Sequence, residues 1–175
     1  MPSLLLTITR PAATLLVGLF AGGTVFILLA PSLTRLPAAS YVPYWQALNT
    51  DYGRAMPPLL LSALALLAVT SVLSYRHGAL VFGLSVAAAL LVIAVIILTV
   101  TQMDPLNRLA DSWTADQPPS DFADIRRHWW GLHTVRTALA MLAFAALLVA
   151  QAADRGSSGG ATTAQQTAAG ATVRA

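Results

Sequence analysis

The sequence predicts an all-α fold, a four-transmembrane-helix bundle with two long loop segments on the same membrane face, one of which contains a short helix. Three observations predict it. The chain of 175 residues is 57% hydrophobic and 10% charged, with a mean hydropathy of +0.69, too apolar for a soluble domain of this size. Its apolar residues gather into four runs, each near the roughly 20 residues that cross a hydrocarbon core as helix. The second and third runs are separated only by Tyr75, Arg76, His77 and Gly78, whereas Pro, Asp, Tyr and Trp fill the two longer connections.

Arg10 and Pro11 stand before the first run, residues 12–30. It exceeds the roughly 7–15 apolar residues of a secretion signal, so it reads as a span and not as a cleaved leader. Gly18 and Gly22, four apart, let another helix approach closely, which suits packing inside the bundle. Pro31 ends this span. Tyr41, Tyr44 and Trp45, set among Pro37 and Pro43, place the following stretch along the membrane face or over the bundle. The second span, 57–74, opens with two prolines, where a missing amide donor costs little. The third, 79–102, is the most purely apolar and is long enough to cross with tilt. Asp104 and Pro105 then read as the cap and first residue of a short helix through Trp113. Pro118, Pro119 and Ser120 break it, and Asp121 caps the helix that contains the fourth span, 131–151. Residues 1–153 thus form one membrane domain. Residues 154–175 are small and polar with nothing to bury, and are predicted to be a disordered tail.

Charge and cysteine usage narrow the partners. All basic residues are Arg, scattered singly, so no patch tracks a phosphate backbone and nucleic acid is excluded. With no cysteine there is no disulfide, thiolate chemistry or Cys-ligated metal. The lipid bilayer is the one certain partner, and homo-oligomerisation is left open. Four spans put both termini beside the 75–78 turn. Arg10, Arg76, Arg155 and Arg174 fall on that side, against Arg35, Arg54, Arg108, Arg126 and Arg127 on the other, a count too even for the positive-inside rule. Because Arg108, Arg126 and Arg127 lie among Asp residues, the expectation is a multi-pass plasma membrane protein with cytoplasmic termini.

The stretch 104–140 concentrates the ionisable and aromatic residues. On one helix Trp129, Trp130, His133, Arg136 and Thr137 share a side, within about 60° of His133 at roughly 100° per residue, while His128 points elsewhere. His133 and Arg136 fall one or two turns below the membrane surface, where a mid-depth cation costs about 2.5–3.5 kcal/mol. Arg136 therefore needs a partner or a task. A structural ion pair with Asp104 or Asp111 would pin the loop helix to the bundle; contact with a ligand is the other use. His133 equally admits two roles, a hydrogen bond to a neighbouring helix or action on a ligand. Trp129 and Trp130 suit an interfacial belt as well as a ring-binding wall. No cofactor is expected. His128 and His133, five apart, point about 140° from each other and cannot share an ion. A metal would need one His with Asp104, Asp111 or Asp124, a set that suits iron or manganese better than zinc.

Pro105 and Asn107 after the third span, Trp113 soon after, and Trp129, His133 and Arg136 opening the last span carry a resemblance. Over residues 12–153 the chain resembles the anthrone oxygenase-like family of small four-helix membrane proteins. Named members of that family oxidise anthrones to anthraquinones with molecular oxygen. The resemblance implies a pocket for a flat polycycle near His133 and Arg136, working without a cofactor because the anthrone carbanion can itself pass an electron to oxygen. In that chemistry His133 would serve as base, and Arg136 would stabilise the oxyanion and superoxide. Trp113, Trp129 and Trp130 would flank the rings, with Asn107 and Thr137 completing the substrate-binding set. The competing class is a non-enzymatic accessory or assembly protein, in which the same residues lock the loops to the last helix.

Overall fold

The computed structural model describes residues 2–172, with side chains from 4 to 154. Its elements are α1 (Pro2–Leu28), a short 3-10 turn (Pro31–Arg35), α2 (Ala38–Ser74), α3 (Ala79–Leu98), a π turn (Thr99–Met103), α4 (Asp104–Asp111) and α5 (Phe122–Thr172). Four helical stretches are long and apolar enough to cross a membrane: Leu4–Leu28, Ala38–Ser74, Ala79–Asp111 and Phe122–Asp154. The four helices close a ring in which α1 and α3 each pack against both α2 and α5.

The bundle core is built from small and medium side chains, among them Ala13, Val17, Ala63, Leu67, Ala88, Val92, Ala140, Ala143 and Leu147. In lipid, helices associate through close packing more than through exclusion of water, and alanine faces permit that approach. Gly18 shows the same logic. A Cβ placed there would lie 2.8 Å from the Phe144 ring, so the glycine makes room for an α5 aromatic within the bundle.

The two long connections are more helical than the sequence suggests. Residues 38–56, expected along the membrane face or over the bundle, form the first half of α2, which runs through Pro43, Pro57 and Pro58. Each proline removes a helical hydrogen bond and crowds the carbonyl four residues back, and packing of this half-helix against α4 offsets part of that cost. Asp104 caps nothing with its side chain. The chain stays helical through the π turn, where the Asp104 amide donates to the Thr99 carbonyl five residues back. Such single π turns absorb an extra residue without ending a helix, so Pro105 falls in the first turn of α4. α5 begins directly after Asp121, whose carbonyl accepts from the amides of Asp124 and Ile125. Its backbone stays helical to Thr172, where a disordered tail is predicted from residue 154. No proline interrupts that stretch. Residues 173–175 lie outside the described residues.

A second, aromatic core sits above the first, with Tyr41, Val42, Trp45, Met103, Ala110, Phe122 and Trp129 buried together. It joins the upper half of α2 to α4 and the start of α5. The opposite end of the bundle is closed by charge. Arg10, only 5% exposed, donates to Asp154 at 2.5 Å and to the Ser74 hydroxyl at 3.2 Å, and His77 Nδ1 lies 3.1 Å from the same Asp154. Gln151 Nε2 donates to Thr14 one turn inward. This network ties α1, α2, the 75–78 turn and α5 at the terminal face.

Candidate functional site

The site grows from the helical face of α5 that the spacing predicts. His133 is fully buried and Thr137 and Trp129 nearly so, whereas Trp130 and Arg136 are half-buried. The fourfold spacing lets Trp129 stack flat on the His133 ring, with centroids 5.0 Å apart and planes 3° from parallel.

Arg136 Nη2 lies 2.8 Å from His133 Nδ1. A guanidinium has no acceptor, so Nδ1 carries the lone pair and the ring proton resides on Nε2. That Nε2–H points at the Thr24 carbonyl of α1, 3.0 Å away. Both ring nitrogens of His133 are therefore spent inside the protein, and the imidazole acts as a bracket between α1 and Arg136. A metal ion could use His133 only by displacing one of these two bonds.

Arg136 is not paired with an aspartate, contrary to the ion pair anticipated with Asp104 or Asp111. Asp104 instead bridges to Arg108 at 3.0 Å, one turn along α4, and Asp111 accepts from the Asn49 amide at 3.0 Å. Both carboxylates belong to α4, and their helical neighbours and the upper half of α2 reach them before α5 does. Arg136 Nε is buried without a partner. Among the described residues, only one of its N–H groups, on Nη2, is used.

What Arg136 faces is a cavity of about 470 Å³ enclosed by α2, the α3–α4 junction and α5, within the roughly 300–1,000 Å³ usual for small-molecule sites. Its walls are graded. Ile27, Met56, Leu60, Leu61, Ile96 and Val100 line the apolar part, and Asn49, Asp104, Asn107, Arg108, Asp111 and Arg136 the polar part, with Tyr52 and Trp129 alongside. Leu61 and Val100 are 60% and 59% exposed, so the apolar side opens outward from the bundle.

The anticipated site residues divide accordingly. Arg136, Asn107, Trp129, Asp104 and Asp111 line the cavity, whereas His133 stands behind its wall. Trp113 packs edge-on against Trp45 and Phe122, and Trp130 donates to the Tyr41 hydroxyl at 2.9 Å. Thr137 gives its hydroxyl to the His133 carbonyl. Trp113 and Trp130 support the cap, Thr137 bonds within α5, and none of the three lines the cavity.

Sequence reasoning missed Asn49, Tyr52, Gly53 and Met56, which line the cavity, and Trp45, which donates its indole N–H to Asn107 Oδ1 at 3.1 Å. Tyr41, Trp45, Asn49, Tyr52 and Met56 follow one another at spacings of four, four, three and four. That is a helical face, and it was the available signal; the flanking prolines masked it.

The anthrone oxygenase family model matches residues 45–146 of the chain, more than half its length. The chain belongs to the anthrone oxygenase family. The matched segment starts at Trp45 and contains every cavity-lining residue except Ile27. No curated protein and no solved structure matches the chain.

Proposed function

We propose that this member of the anthrone oxygenase family oxidises an anthrone-type or phenolic polycycle with molecular oxygen, without a cofactor, in the cavity walled by Arg136. The observation that carries this reading is the guanidinium itself: it lines a cavity with a broad aliphatic wall, has no carboxylate partner among the described residues, and keeps most of its N–H donors unspent. Such a fixed donor in a low-dielectric site suits the negative oxygen that develops when an anthrone loses its benzylic proton.

In this reading the flat rings lie against Trp129 and the aliphatic wall, with the ring oxygen toward Arg136. A base removes one proton from the methylene carbon. The anion transfers one electron to oxygen, and the resulting radical and superoxide combine into a carbon-bound peroxide, which is protonated. Loss of the second proton from that carbon then breaks the O–O bond, leaving a carbonyl and releasing water. One oxygen molecule and one anthrone give one anthraquinone and one water. His133 holds Arg136, and the base is one of the two carboxylates on the wall, Asp104 or Asp111.

The accessory-protein reading draws on the cap, where the Trp129 bond to Asn107, the Trp130 bond to Tyr41 and the Arg126 bond to the Leu36 carbonyl lock the connections to α5. It leaves the cavity and the unspent Arg136 donors without a use. The deciding experiment is oxygen uptake by purified protein in detergent with an anthrone as substrate, with product identified by absorbance. Uptake matched one-to-one by anthraquinone, well above protein-free micelles, is expected. A rate equal to that of empty micelles would favour the accessory reading.

A further inference from the structure

Asn107 accepts two indole N–H groups on a single oxygen. Trp45 Nε1 lies 3.1 Å and Trp129 Nε1 2.9 Å from Asn107 Oδ1. An indole only donates, so both bonds require the amide oxygen at that position and fix which end of the side chain is which. The amide NH2 is the end left over, and Asn107 lines the cavity. Trp45 is buried and comes from α2, whereas Trp129 comes from α5. Two helices thus clamp one amide of α4. The network continues from Trp129 through the stacked His133 ring to Arg136. Its two cavity-lining polar members, Asn107 and Arg136, have their protein-facing bonds assigned and offer only N–H outward. The carboxylates elsewhere on the wall each spend one oxygen on a protein donor, Asp104 on Arg108 and Asp111 on Asn49, and keep the other for the base role proposed above.

We infer that Trp45 and Trp129 are positioning residues that hold the Asn107 amide with its NH2 toward the cavity, so that this wall selects a polycycle bearing a bare oxygen acceptor over one of the same shape without it. The acceptor is a carbonyl or an ionised phenol. The inference rests on the ligand class proposed above and adds the element that sets its specificity. Without the two indoles the amide is free to turn, and half its orientations present oxygen to oxygen.

The test is equilibrium binding of anthraquinone and of anthracene, a matched tricyclic pair with and without carbonyls, to the full chain in detergent, corrected for partition into protein-free micelles. Wild type is expected to prefer anthraquinone by roughly tenfold, the worth of about one well-placed hydrogen bond. Asn107→Asp still accepts both indoles but has no amide N–H to donate, and is expected to lose the preference while binding anthracene as before. Trp45→Phe removes one of the two indole donors and is expected to reduce the preference in part, because Trp129 alone holds the amide less firmly. Wild type binding both compounds equally would overturn the inference and leave the apolar slot standing. Wild type binding neither would overturn the ligand class and the inference together. A wild-type preference retained in both variants would remove Asn107 and its indole clamp from specificity.

Discussion

Trp129 and His133, one turn apart on α5, stack with their planes 3° from parallel, and each uses its remaining polar edge on a different neighbour. The indole N–H reaches Asn107 on α4, and the imidazole spans Thr24 on α1 and Arg136 on α5. Three elements, α1, α4 and α5, are thereby referenced to one pair of rings, and the two outermost members of the network, Asn107 and Arg136, border the cavity.

His133 as a bracket and His133 as a base predict different mutants. Gln can accept from Arg136 through its amide oxygen and donate to the Thr24 carbonyl through its nitrogen, whereas Ala leaves both unpaired at about 1–3 kcal/mol. His133→Gln is expected to retain a measurable part of the oxygen-uptake rate, and His133→Ala to lose stability and nearly all activity. Equal loss in both variants, with His133→Gln folded by its thermal melt, would return the histidine to the chemistry.

The base is expected among the wall carboxylates. Asp104→Asn and Asp111→Asn, assayed separately with an anthrone, should include one variant slowed by about a hundredfold or more, the usual scale for a lost general base. Its melting temperature should be close to wild type, because both side chains are at least partly exposed. Two variants at wild-type rate would exclude both carboxylates.

Gly53 borders the cavity, and a Cβ added there meets nothing within 4 Å. Gly53→Leu is therefore expected to fill part of the slot, raising KM for an anthrone several-fold. Stability should not fall, since removing a helical glycine is worth up to about 1 kcal/mol. Steady-state kinetics together with a melt in detergent checks both halves of this expectation.

The closure at the terminal face should matter for stability and not for turnover. Asp154 meets Arg10, whose side chain is 7% exposed, and also His77. Asp154→Asn leaves that buried guanidinium without its counter-charge, at about 1–3 kcal/mol once the partial exposure of Asp154 is allowed for. A lowered melting temperature with an unchanged rate at low temperature is the expected pattern.

Much of this architecture was legible in the sequence because lipid imposes a strict length and polarity on each span. The inward face of α5 was legible too, since Trp129, His133, Arg136 and Thr137 repeat at helical spacing. What was not legible is which polar group each of them meets. Arg136 met a histidine three residues away and not an aspartate, because α4 and α2 satisfy Asp104 and Asp111 first. The opposing cavity wall was hidden for another reason: prolines at 43, 57 and 58 signal broken helix locally, but tertiary packing carries α2 through all three. Tyr41, Tyr44 and Trp45 were consequently placed along the membrane face or over the bundle, although Tyr41 and Trp45 share one helical face with Asn49 and Tyr52. The Arg10 and Asp154 contact joins residues 144 apart in sequence, beyond the reach of any periodicity.

Arg136 is the residue on which the proposed chemistry depends, and Arg136→Met tests it most directly, because Met keeps the unbranched apolar stem and removes the donors. The measurement is oxygen uptake with an anthrone, wild type against Arg136→Met, each shown to be folded by its melt. Loss of a positioned oxyanion donor typically costs about a hundredfold to a thousandfold in rate, and a fall of that size in kcat is expected. A folded Arg136→Met protein that consumes oxygen as fast as wild type would contradict a catalytic cavity at this guanidinium.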